Sequence, residues 1–173
     1  MKIVRLVALV VIAAALVGPE FARYRGERRL YQLNGATQLY AGAPASQRKA
    51  LLSRLSNDAA RLRTYPGDWR PLTLAGSASM QVENPAQAAT HFQSALALGE
   101  RPELDLNLGL ALRAAGDHDA ARPYFVRGVW LSPWSAKHLP PIVAQNAERE
   151  VGRLTKLLRA GKLRPVDLSI NEQ

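Results

Sequence analysis

The sequence predicts an all-α protein, a short helical solenoid, and three observations carry that reading. Sliding the chain by 33 positions lays Gly76 on Gly109, Ala88 on Ala121 and Phe92 on Phe125, with Asn84-Pro85 over Asp117-His118 and Ala95 over Gly128. A repeat of that length, with small residues at fixed places, marks stacked helix-turn-helix units whose backbones cross closely. Apolar residues elsewhere recur at helical steps, and no stretch beyond the amino end shows sustained alternation of period two. The composition agrees: 47% of the 173 residues are hydrophobic but only 6% aromatic, which suits Ala/Leu-packed helices in one domain with appendages.

Taken in order, residues 1–24 read as a signal anchor or a signal peptide. Lys2 and Arg5 precede the uncharged run Leu6–Gly18, and Gly18-Pro19 stops it. Thirteen uncharged residues fit an export signal and fall short of the roughly 20 that span a bilayer. Snorkelling by Lys2 and Arg5, with Phe21 and Tyr24 at an interface, still lets a helix from Met1 to about Tyr24 cross. No small-x-small cleavage site follows the run, which favours an uncleaved anchor. The four arginines Arg23, Arg25, Arg28 and Arg29 argue for a cytoplasmic carboxyl side, whereas the short basic amino end argues for export. The reading adopted is a bacterial inner-membrane protein, single-pass, with its body facing the periplasm.

Residues 25–66 form a helical lead-in and a possible degenerate repeat. Leu30, Leu33, Thr37 and Tyr40 make a weak stripe; Gly42-Ala43-Pro44 is a break; Ser46 is the expected N-cap of a helix to about Arg63. Its apolar face is Leu51, Leu52, Leu55, Ala59 and Leu62. An extra pair of helices is wanted here, because about three repeats are needed for a stable stack. Residues 67–133 hold the two good units. Asn84 caps a helix with Pro85 at its first position and Gln87 at its third, and Gly116-Asp117 serves the same turn in the second copy. Residues 134–164 are a capping helix with Pro141 near its start, the stripe Val143, Ala147, Val151, Leu154 and Leu158, and Gly161 as its stop. Residues 165–173 read as a mobile tail.

The spacing Leu108-Gly109, Ala121, Phe125, Gly128 and Pro133, and its first copy Ala75-Gly76, Ala88, Phe92 and Ala95 with the proline shifted to Pro102 and Trp69 three residues early, resembles the tetratricopeptide repeat family. The first copy departs from the family in having Ser79 where a large aromatic is usual. The resemblance implies a binding module whose groove is lined by the first helix of each unit. Family register places Arg70, Thr73, Ser77, Met80 and Gln81 there from the first copy, and Leu106, Asn107, Leu110 and Arg113 from the second. Leu106 and Leu110 equally suit packing on a neighbouring helix. The Lys/Asn clamp with which some members hold a peptide carboxylate is missing, since this chain has Thr73 and Leu106, and Ser77 and Leu110, at those places.

Chemistry is otherwise sparse. There are no cysteines, which removes disulfides and thiolate sites. His91, His118 and His138 form no ligand pair; Asp117 and Asp119 suit a helix start; Glu148 and Glu150 pair with nearby Arg149, Arg153 and Lys156. No catalytic, metal or cofactor-binding set is expected, nor a small-molecule substrate. The net charge of +9 is uneven, with residues 1–35 and 36–66 each at +4, residues 67–133 at −2 and residues 134–173 at +3. The basic flanks lack interleaved aromatics, so a nucleic-acid partner is not expected. Trp130 and Trp134 around Pro133 read as core filling, or else as an exposed patch. The function this predicts is a membrane-anchored scaffold or accessory subunit of a bacterial cell-envelope assembly, binding another protein through the groove. The alternative is a binder of anionic lipid or polyanion surfaces through the basic flanks, notably Arg23, Arg25, Arg28, Arg29, Arg48, Lys49, Arg54, Arg61 and Arg63.

Overall fold

The computed structural model describes the backbone of residues 2–164, with the side chains of Ala15 and residues 17–164. Among these the elements are helical throughout: α1 (Lys2–Ala41), α2 (Ala45–Arg61), α3 (Arg70–Gln81), α4 (Pro85–Leu96), α5 (Pro102–Ala114), α6 (His118–Leu131), a 3-10 turn (Pro133–His138) and α7 (Pro141–Arg159). Each helix packs on the one before it and the one after it, and α1 also touches α3. The molecule is thus a row of helices whose core runs along the row in three patches.

The first patch joins Leu30 and Leu33 of α1 to Leu55 and Ala59 of α2 and Leu74, Ala75 and Ala78 of α3. The second joins Ala88, Ala89 and Phe92 of α4 to Leu108 and Ala111 of α5. The third gathers Leu106, Ala121, Phe125 and Val129 under Ala136, Leu139, Val143 and Ala147, so the 3-10 turn and α7 close that end. Phe92 and Phe125 are the large anchors, and burial of each contributes roughly 1.5–3 kcal/mol. Their room comes from glycine: a Cβ on Gly76 would lie 2.6 Å from the Phe92 ring, and one on Gly109 would lie 2.7 Å from the Phe125 ring. The small residues sit where the helices of each unit cross, as expected, and each glycine takes the phenylalanine of its own unit's second helix.

The caps explain the turns. Asn84 Oδ1 accepts from the Gln87 N–H at 3.2 Å and Asp117 Oδ1 from the Ala120 N–H at 3.0 Å, as the sequence predicts. Ser46 is not the cap of α2. Pro44 holds that position, its carbonyl accepting from the Gln47 and Arg48 N–H groups, each at 2.9 Å, and Ser46 is already inside the helix. That helix also stops at Arg61, short of Arg63. Where separate helices were expected before and after residue 25, α1 is continuous through Pro19, since one proline removes one main-chain donor without forcing an end in a run of good helix formers. Trp134 is exposed (82%) and fills no core. Among the described residues no helix is long and apolar enough to cross a membrane. The apolar run Leu6–Val17, on which the anchor expectation rests, lies almost wholly outside the described side chains, and the expected tail 165–173 lies outside the described residues.

Candidate partner-binding site

The nine residues assigned to the groove do not share one surface. Arg70 is consumed by the fold. Its guanidinium donates to Glu27 Oε1 of α1 at 2.5 Å and to Asp68 at 2.9 and 3.0 Å, and lies 5.5 Å from the centre of the Tyr65 ring. Burial opposes ionisation of Asp68, but hydrogen bonds from Arg70 and from the Thr64 hydroxyl outweigh it and hold the carboxyl below its usual range. The hydrogen bonds that Arg70 donates to Asp68 and Glu27 push its guanidinium in the opposite direction, upward. Arg70 therefore pins α1 to the loop before α3. Leu106 is mostly buried, 6% exposed, and a Cβ on Gly128 would meet it at 2.5 Å, yet it also lines the cleft between α5 and the 3-10 turn. Met80 packs against the second core patch.

Thr73 donates to the Trp69 carbonyl at 3.1 Å, Ser77 is half-buried and Gln81 is exposed. On α5 the remaining residues part company. Leu106, Asn107 and Leu110 line a cleft of about 390 Å³ against the 3-10 turn, together with Glu103, Trp134, Lys137, His138 and Leu139. Arg113 lies in a different cleft, about 360 Å³, where α6 and α7 add His118, Arg122, Asn146, Arg149 and Glu150. Neither takes a residue from α3.

The α5 cleft is the better-built of the two. The Ser135 hydroxyl donates to the Ser132 carbonyl at 2.5 Å and to the Gly128 carbonyl at 3.3 Å, which folds the turn back over the end of α6. The exposed Trp134 lines this cleft with Leu110 and Leu139, and Glu103, Lys137 and His138 line it too. An aromatic anchor with acidic and basic groups around it suits a peptide segment better than a small apolar ligand. The sequence named Leu106, Asn107, Leu110 and Trp134; it missed Glu103, Lys137, His138 and Leu139. The signal for these was Ser132-Pro133, which stops α6 and turns the chain.

Comparison with family models, with curated proteins and with solved structures finds no match.

Two buried polar groups lie outside the clefts. Asp105 is fully buried in α5 and neither carboxylate oxygen has a hydrogen-bond partner. Burial, with the nearby charge of Glu100, pushes its pKa up to about 7, against the pull of Arg127. Arg127 is committed to Glu100 in an ion pair, which is why it does not reach Asp105. Tyr124 is raised by burial and then by the Asp105 charge. His91 in α4 has a buried Nε2 without a partner, and burial lowers its pKa. Among the described residues no three His, Asp or Glu side chains converge as a metal site.

Proposed function

We propose that the chain is a scaffold or accessory subunit of tetratricopeptide type, binding another protein of a bacterial envelope assembly while its apolar amino end ties it to the inner membrane. The body then faces the periplasm. What supports the repeat assignment is the pair of 33-residue units, each with glycine seated on the phenylalanine of its second helix. The observation that carries the binding reading is the α5 cleft, where Trp134 stands exposed beside Leu110 and Asn107. The contact area is modest, so the complex is transient rather than permanent.

The test uses the full chain with a photo-crosslinker at Asn107, and the same protein carrying Trp134→Ala. Trp134 is exposed, so its removal leaves the core intact. A discrete protein adduct is expected, and Trp134→Ala should reduce it about tenfold, the effect of roughly 1.4 kcal/mol at one anchor. Adducts equally abundant in both proteins would sink the assignment of this cleft. Substituting Arg70 or Leu106 would not test it, because both hold the fold.

A further inference from the structure

The cleft between α1 and the segment after α2 is cationic by construction. Arg25, Arg28, Arg29 and Gln32 follow one another at helical steps along α1, and Leu62 and Arg63 face them across a space of about 530 Å³. Gly26 makes that approach possible: a Cβ there would fall 2.6 Å from the Arg63 carbonyl oxygen and 2.9 Å from the Thr64 Cα. The two backbones are in direct contact, and four arginines line one open cleft beside that contact. Like charges so placed repel one another unless an anion answers them.

The protein's own carboxylates answer few of them. Asp58 takes Arg29 at 3.4 Å, and Glu27 is committed to Arg70. Arg25 lies 5.8 Å from the centre of the Phe21 ring. Arg28 and Arg63 are exposed and, among the described residues, have no carboxylate within 4 Å. The same helix face region carries exposed apolar groups just ahead of the cleft: Val17 (63%), Phe21 (58%) and Tyr24 (61%). Arg25 follows Val17 by about 12 Å along the helix axis, so a helix whose apolar start enters lipid holds these arginines at headgroup depth.

We propose that this cleft is a docking site for the phosphate headgroup of an anionic glycerophospholipid, with Arg28 and Arg63 as its principal ligands and Arg25 beside them. Phosphate oxygens accept from guanidinium forks at short range, and paired forks on opposite walls hold one phosphate from two sides. This sharpens the lipid-surface alternative drawn from sequence, because Arg29 is partly neutralised, Arg48 donates to the Ala43 carbonyl, and Lys49 and Arg61 lie outside the cleft. It is independent of the α5 cleft and of any protein partner.

The experiment is vesicle flotation of the full chain, read as the ratio of partitioning to phosphatidylglycerol-containing vesicles over pure phosphatidylcholine vesicles. A ratio well above one is expected for the wild type. Arg28→Gln/Arg63→Gln should lower it about 25-fold, at roughly fivefold for each arginine near a charged surface. Lys156→Gln/Arg159→Gln, the same charge change on α7, should lower it less than about twofold. Arg28→Gln alone gives a fivefold test should the double variant prove unstable. Equal losses for the two pairs would mean diffuse attraction and overturn the site, as would a wild-type ratio near one. Tighter binding of a single-stranded oligonucleotide, lost in the same cleft variant, would assign the cleft to nucleic acid and overturn the lipid proposal.

Discussion

The units α3–α4 and α5–α6 are built on one plan yet differ at a few equivalent positions, and those differences separate what the plan requires from what it tolerates. Both keep glycine under phenylalanine and an Asn or Asp cap at the second helix. They diverge where Thr73 and Ala95 of the first unit correspond to Leu106 and Gly128 of the second. Leu106 lies so close to Gly128 that a Cβ there would meet it, while Ala95 keeps its methyl and is fully buried. The larger side chain goes with the smaller one in each unit, so the summed volume is conserved although neither residue is. Two further differences are not compensated: buried Asp105 stands where the first unit has Leu72, and Glu83 stands where the second has Gly116.

The shared glycine should give the largest effect. Gly109→Leu drives a side chain into the Phe125 ring and should destabilise by roughly 3 kcal/mol in urea unfolding. Gly99→Leu, where nothing lies within 4 Å of the added Cβ, should stay within about 0.5 kcal/mol. Equal midpoints for the two variants would break the common plan.

Asp105 comes next, and its effect depends on pH. Its folded pKa of about 7 lies above the ordinary carboxyl value, so the fold prefers the protonated form. Stability on this account is fully present below about pH 4 and is lost as pH rises through 7. Glu100, Glu103, Tyr124 and Arg127 are the charged or titratable groups that act on it or respond to it. Asp105→Asn removes the titration, and its advantage over wild type should grow by about 2 kcal/mol between pH 5 and pH 8. An advantage constant with pH would contradict the buried, unpartnered carboxyl.

The smallest effect concerns the turns. Glu83 has φ +60° and Gly116 has φ +92°, the left-handed region in which a side chain is strained. Glu83→Gly should stabilise by about 1 kcal/mol and Gly116→Ala should destabilise by about as much, read from thermal midpoints. Opposite signs in the two units would sharpen the comparison; the same sign in both would show that the turns are not equivalent.

Legibility in the sequence followed the range of the interaction. The glycine-phenylalanine pairs, the Asn84 and Asp117 caps and the start of α7 at Pro141 are local or periodic, and they were readable. The Arg70–Glu27 pair spans 43 residues, and nothing near either residue announces it. Leu106 equally suits groove or packing in the sequence; its burial depends on a turn about 30 residues later, where Ser135 folds the chain back, and it lines the α5 cleft as well. Ser79 was noted as a departure, and its partner was invisible: its hydroxyl lies 2.8 Å from that of Ser56, which also bonds the Ala75 carbonyl at 3.0 Å. A small buried polar pair there lets α2 lie close against α3, in a space the usual aromatic would fill.

Because each helix packs almost wholly on its chain neighbours, the entropy of closing long loops enters the folding barrier very little. Order can start at any well-packed pair and spread in both directions. Among the described residues, α7 with the 3-10 turn seals the far end of the row over Phe125 and Val129. Opening of that seal is a local event, and amide exchange should begin there and advance inward toward α4 and α5. The α5 cleft is built on the same seal, so a partner held against Trp134 and Leu110 would also slow that opening. Binding would then be read as protection of amides in α6 and α7, at a distance from the contact itself.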